Sequence, residues 1–136
     1  MIKGRARFLW LSLLLIAVAI QADDQKMVFS DPLKTIIVKK SESTFSIILQ
    51  SNPTTGYSWL LKGYDANLIK PVRHKFYPPE NKRLVGAPGY EKWTFQVKAE
   101  GFVVPQLTSI TLIYLRPWEE QGAKAVNFKV VTNNAD

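Results

Sequence analysis

Trp93, Phe95 and Val97 alternate with Lys92, Thr94, Gln96 and Lys98 in a period of two, and only an extended chain sends successive side chains to opposite faces. Glu91 to Lys98 is therefore read as a half-buried β-strand, apolar on one face and polar on the other. The period recurs in Thr44 to Gln50, where Phe45, Ile47 and Leu49 share a face. Less regular runs predict strands over Leu33 to Lys39, Tyr57 to Lys62, Leu68 to Phe76, Leu107 to Leu115 and Lys124 to Val131. Pro71 cannot donate to a ladder, which demotes its run to a sheet edge or an irregular segment. The near-continuous apolar content of Leu107 to Leu115 predicts burial on both faces.

Seven short strands with turn signals between them, and no helical period beyond the N-terminus, predict an all-β fold: an immunoglobulin-like antiparallel β-sandwich. The chain has no cysteine. Stability must then come from an apolar core rather than from disulfides, and thiolate metal sites and a lipid-modified cysteine are excluded. Trp59, Trp93 and Phe95 are assigned to that core.

The N-terminus reads as a secretory signal. Lys3, Arg5 and Arg7 precede thirteen almost wholly apolar residues, Phe8 to Ile20, and small residues at Ala19 and Ala22 offer cleavage sites before Asp23. A membrane anchor is the other reading, but a spanning helix needs about 20 apolar residues. Residues 1–22 are thus expected to be the signal peptide and 23–136 the mature domain, periplasmic or secreted, monomeric and with no membrane association of its own. Removing residues 1–22 lowers the formal charge from +7 to +4. The remaining cations are scattered in short pairs such as Lys39-Lys40 and Lys82-Arg83, whereas nucleic-acid binding calls for a denser stripe interleaved with aromatics. No nucleic-acid partner is expected.

Catalysis is not expected either. His74 is the single histidine, so a triad has one candidate base, no nucleophile elbow accompanies it, and the ring is expected to face solvent between Arg73 and Lys75. Glu80, Glu91 and Glu119 show no paired-carboxylate motif. No metal and no cofactor are implied.

The unusual residues lie in the connections. Asn52-Pro53-Thr54-Thr55-Gly56-Tyr57 is stiff: Pro53 fixes its own φ and biases Asn52 toward extended backbone, two β-branched threonines restrict χ1, and Gly56 permits a positive φ. A stiff loop loses little entropy on docking, so it can bind without covalent chemistry. By itself the hexapeptide reads first as a well-made turn between strands. The connection after the fourth strand contains Gly86-Ala87-Pro88-Gly89, and that after the sixth contains Arg116-Pro117-Trp118. In a sandwich whose successive strands reverse direction, the second, fourth and sixth connections gather at one end.

These three motifs, in this order and after a signal sequence, resemble the chagasin family of cysteine peptidase inhibitors. The likeness covers essentially the whole mature chain. The family pattern is Asn-Pro-Thr-Thr-Gly-aromatic, then a Gly-x-Gly-Gly-like loop leading to an aromatic, here Trp93, then Arg-Pro-Trp. Pro88 stands where the family often has glycine, which stiffens the middle loop. The resemblance implies a reversible, competitive inhibitor of papain-like cysteine proteases of the cathepsin L type. Asn52, Pro53, Thr54, Thr55 and Gly56 would enter the active-site cleft, with Tyr57 packed under the loop. Gly86, Ala87, Pro88 and Gly89 would lie beside the cleft, and Arg116, Pro117 and Trp118 would grip its opposite shoulder.

Other readings stand beside these. Trp118 could be a lid over the end of the core, and Arg116 a solvated charge paired with Glu119 or Glu120. The whole loop edge could serve an exported binding or adhesion module with a non-protease partner; a small hydrolase is the weaker option.

Overall fold

A computed structural model describes residues 27–81, 83–119 and 121–135. The expected signal peptide lies outside these residues. Eight strands follow in order: β1 (Val28–Phe29), β2 (Ile36–Lys39), β3 (Thr44–Ser51), β4 (Ser58–Tyr64), β5 (Ile69–Tyr77), β6 (Gly89–Val97), β7 (Leu107–Leu115) and β8 (Lys124–Asn133). Single 3-10 turns occupy Pro53–Thr55 and Ala99–Phe102. Among the described residues there is no α-helix, and no helix long and apolar enough to cross a membrane.

The strands form two four-stranded sheets, ordered β1-β3-β6-β5 and β2-β8-β7-β4. The alternation read in the sequence sets their inner faces. Phe45 and Ile47 of β3, Phe95 of β6, Ile36 and Val38 of β2, and Ile110 and Leu112 of β7 are all buried, as are Phe128 and Val130 of β8. Phe45 and Phe95 stack with centroids 5.7 Å apart. Burying a side chain of this size stabilises by about 1.5–3 kcal/mol, so this inter-sheet layer carries the fold in a chain without cysteine.

Four expectations are corrected. The sandwich is not antiparallel throughout: β1 runs parallel to β3 and β2 parallel to β8. The turn after β2 does not close a hairpin but carries the chain from one sheet to the other, so the edge strands take distant partners. The first predicted strand begins later, at Ile36, because Asp31 folds the preceding residues into a turn, accepting from Leu33 N at 2.9 Å through Oδ1 and from Lys34 N at 3.1 Å through its carbonyl; β1 has no counterpart among the predicted strands. β7 fully buries residues of one face only, Ile110 and Leu112, since among the described residues no element covers the outside of its sheet, and Leu107 is exposed.

The fourth correction is His74, which is not free in solvent. Its Nε2 lies 2.7 Å from Glu91 Oε1 and its ring packs on Trp93, centroids 4.2 Å apart. Glu91 is 3% exposed, and its second carboxylate oxygen accepts from Trp59 N at 3.2 Å. One buried carboxylate therefore joins β6 to β5 in its own sheet and to β4 in the other. Of the three expected core aromatics, Phe95 and Trp59 are buried and Trp93 is half-buried. Pro71 does sit on an edge strand, where the β5–β6 register shifts between Pro71 and Arg73.

Candidate functional site

The three connections predicted to share one end do so, and hydrogen bonds tie them together. The first loop is a 3-10 turn with Pro53 at its start, closed by Thr55 N to Asn52 O at 3.2 Å and Gly56 N to Pro53 O at 3.0 Å. Asn52 is its hub. The Asn52 side chain accepts from Thr54 Oγ1 at 2.6 Å, its carbonyl accepts from Thr55 Oγ1 at 2.7 Å, and its own N–H donates to the Tyr114 hydroxyl at 3.1 Å. Both threonine hydroxyls are thus spent holding the turn, and the Pro53, Thr54 and Thr55 side chains stand exposed around it.

The middle loop hangs from the first. Asn52 Nδ2 donates to Gly86 O at 3.2 Å, and Gly86 takes φ +79°, a left-handed conformation that favours glycine. Gly89 is needed for space: a Cβ there would meet the Tyr77 carbonyl oxygen and the Phe76 ring. Between these glycines Ala87 is half-buried and Pro88 exposed.

The third loop braces the first from the other side. Arg116 Nε donates to Thr55 O at 2.8 Å, its guanidinium lies 4.7 Å over the Tyr57 ring, and Nη1 reaches Glu119 at 3.3 Å. The expected Arg116–Glu119 pair is therefore present alongside the brace. Tyr57 packs under the loop, 5.2 Å from Tyr114, which stacks in turn on Trp59 at 4.9 Å. This ladder runs from the core to the edge. Trp118 is no lid over the core: it is 71% exposed, with its ring close to Gly56, where an added Cβ would lie 2.8 Å from Cη2. Pro117 is exposed beside it.

All thirteen residues expected at the site lie on this edge or directly beneath it. Three further residues belong with them and were not singled out from the sequence. Tyr114 positions Asn52 from inside a strand, where its alternation marks it only as another partly buried residue. Leu84 and Val85 are exposed apolar side chains next to Gly86; their placement in a glycine- and proline-rich loop was the available signal. Leu84, Val85 and Trp118 are thus three large apolar side chains left exposed on loops of this edge. Among the described residues no cluster of histidine and carboxylate side chains could hold a metal.

A family model described as chagasin family peptidase inhibitor I42 matches residues 39–131. The chain belongs to the chagasin family of peptidase inhibitors. The matched span contains all three loops and the strands that carry them, save the last two residues of β8. Chagasin of Trypanosoma cruzi is 35% identical over 88 residues, covering 62% of this chain and 74% of that protein. Two solved structures share the fold. The cysteine protease inhibitor EhICP2 of Entamoeba histolytica superposes with a TM-score of 0.57 at 19% identity, over 78% of this chain and 93% of that one. The solution structure of amebosin gives 0.59 at 24% identity, over 78% and 96%. The chagasin-family fold thus accounts for the sandwich, and the chain is a peptidase inhibitor by family.

Proposed function

We propose that this chagasin-family chain is a reversible, competitive inhibitor of papain-like cysteine proteases of the cathepsin L type, occluding the active-site cleft with the edge formed by its three loops. The observation that carries this reading is the cross-bracing of that edge. Asn52 and Arg116 hold the first loop to the other two, so little conformational entropy is lost on docking.

The mechanism is obstruction by shape. A papain-like enzyme needs a carbonyl within near-attack distance of its thiolate. The first loop is the central wedge, with the Thr54-Thr55 backbone nearest the catalytic cysteine and histidine. The Thr55 carbonyl accepts from Arg116 and the Asn52 and Pro53 carbonyls close the 3-10 turn, so these three groups are held in fixed directions by the loop's own donors and cannot swing to follow a nucleophile. An uncut loop leaves inhibition reversible. Gly86 to Gly89 lies beside the cleft and Trp118 packs its ring against the opposite shoulder. The same reading takes the mature domain as an exported, immunoglobulin-like monomer acting in the periplasm or outside the cell.

The test is a titration of papain and of cathepsin L with the purified protein, with Trp118→Ala alongside. Tight, reversible inhibition is expected. Truncating a tryptophan anchor costs about 2 kcal/mol or more, which is about a 30-fold weaker complex, and the loss should lie in faster dissociation. A folded protein that inhibits neither enzyme would overturn the reading in favour of a binding module with a non-protease partner.

A further inference from the structure

The outer face of the β1-β3-β6-β5 sheet carries a concentration of positive charge that the fold does not use. Four cations stand at its outward positions: Lys70, Arg73 and Lys75 on β5 and Lys92 on β6. The register sets Lys75 directly opposite Lys92 and Arg73 opposite Thr94. Like charges directly opposite in a sheet are destabilising. Among the described residues no acid of this sheet face relieves them, for the outward positions of β3 and β6 hold Thr44, Ser46, Ile48, Gln50, Tyr90, Thr94 and Gln96 besides Lys92. Among the described residues none of the four cations forms an ion pair. The sheet tolerates the Lys75–Lys92 pair in part because Lys75 Nζ sits 4.8 Å over the Tyr77 ring.

This face is continuous with the loop edge. Tyr77 pairs with Tyr90 in the next row, their rings stacked with centroids 4.8 Å apart and planes 12° from parallel, and Tyr90 adjoins Gly89, the last residue of the middle loop. Lys92 is three residues from Gly89, about 10 Å along the strand. A cationic row this close to a docking edge lies within reach of whatever surface flanks the docked partner. Sequences that break a local rule without structural gain do so chiefly at functional sites.

We infer that the Lys75–Lys92 row, extended by Arg73 and Lys70, is a docking surface for an acidic, carboxylate-bearing shoulder of the target protease beside its cleft. The inference rests on the proposed inhibitory function and adds to it a means of choosing among targets. Complementary potentials raise the association rate and disfavour partners of like charge more than they raise affinity, so this face would favour acidic proteases by fast capture while the loops set the lifetime of the complex.

The test is the association rate of the full protein, wild type and Lys75→Glu/Lys92→Glu, with a papain-like protease of acidic surface and one of basic surface. It is measured at about 10 mM and about 1 M salt, where the Debye length is ~30 Å and ~3 Å. For the acidic enzyme at low salt the double reversal is expected to slow association roughly tenfold, with dissociation nearly unchanged and the difference gone at high salt. Lys75→Arg/Lys92→Arg should keep the wild-type rate. Lys75→Gln/Lys92→Gln, which introduces no repulsion, should fall between and serves if the reversal disturbs folding by circular dichroism. Wild-type inhibition with an association rate unmoved by either substitution overturns the inference and leaves the inhibitory function standing. Loss of retention on a heparin column without change in that rate also overturns it, assigning the face to an acidic polysaccharide. Absence of inhibition by the wild type overturns both together.

Discussion

Arg116 and Thr55 come from loops 61 residues apart in sequence, yet the Arg116 Nε–H donates to the Thr55 carbonyl at 2.8 Å while the guanidinium plane covers Tyr57 at 4.7 Å. One side chain fixes the wedge from above and packs on the aromatic ladder below it. A lysine cannot reproduce this, because its ammonium lacks the planar fork that hydrogen-bonds and stacks at once. Arg116→Ala is expected to weaken inhibition by about 1–2 kcal/mol, roughly 5- to 30-fold, and Arg116→Lys should recover little of it. Inhibition constants for the two variants check this, with amide exchange at Gly56 reporting whether the turn has loosened.

Gly56 is constrained twice. Its φ of +81° is costly for any side chain, and an added Cβ would press into the Trp118 ring. A left-handed residue other than glycine costs about 1–2 kcal/mol, and the displaced indole adds lost contact. Gly56→Val should therefore weaken inhibition by more than about tenfold and, because the unfolded chain does not share the strain, lower the melting temperature by roughly 4–16 °C. A fully inhibitory Gly56→Val protein would contradict the loop conformation.

Asn52 tests whether the loops act as one edge. Asn52→Asp keeps an oxygen for Thr54 but puts a carboxylate where an amide now donates to the Gly86 carbonyl. The middle loop should come free while the 3-10 turn survives. The expected result is faster amide exchange at Gly86 and Ala87 and a loss of about 1 kcal/mol in binding, with unfolding by denaturant nearly unchanged. Equal protection in both proteins would mean that the middle loop holds its place unaided.

Much of this was legible in the sequence, for identifiable reasons. Phe45, Ile47 and Leu49, and Phe95 and Val97, declare their inner face because the period of two is local information. The loop motifs are equally local, and their meeting at one end follows from the reversal of successive strands. Strand pairing was not legible at the edges: β2 pairs with β8, nearly a hundred residues away, and no local pattern encodes that choice. The partners of His74 were hidden similarly. Its neighbours Arg73 and Lys75 suggest a solvated run, but the register shift after Pro71 sets His74 opposite Trp93, on the inward side, within reach of Glu91. Glu91 itself looked like one more surface acid until the second sheet supplied Trp59 N–H.

That carboxylate leads to the last prediction. Glu91 holds the strand that follows the first loop and the strand that follows the middle loop through a single buried side chain. Glu91→Ala would leave the Trp59 N–H unpaired and remove the His74 partner. A buried donor stripped of its acceptor costs about 1–3 kcal/mol, and the hole left by the side chain adds to this. A domain of about 100 residues loses roughly 4–8 °C of melting temperature per kcal/mol, so Glu91→Ala should melt at least about 4 °C below wild type. His74→Ala should cost much less, because the His74 side chain is 42% exposed and water replaces it at the carboxylate. Thermal unfolding of the two single variants and the double variant measures both effects and their coupling. The reverse order, with His74→Ala the more damaging, would mean that the histidine rather than the carboxylate holds the two sheets in register.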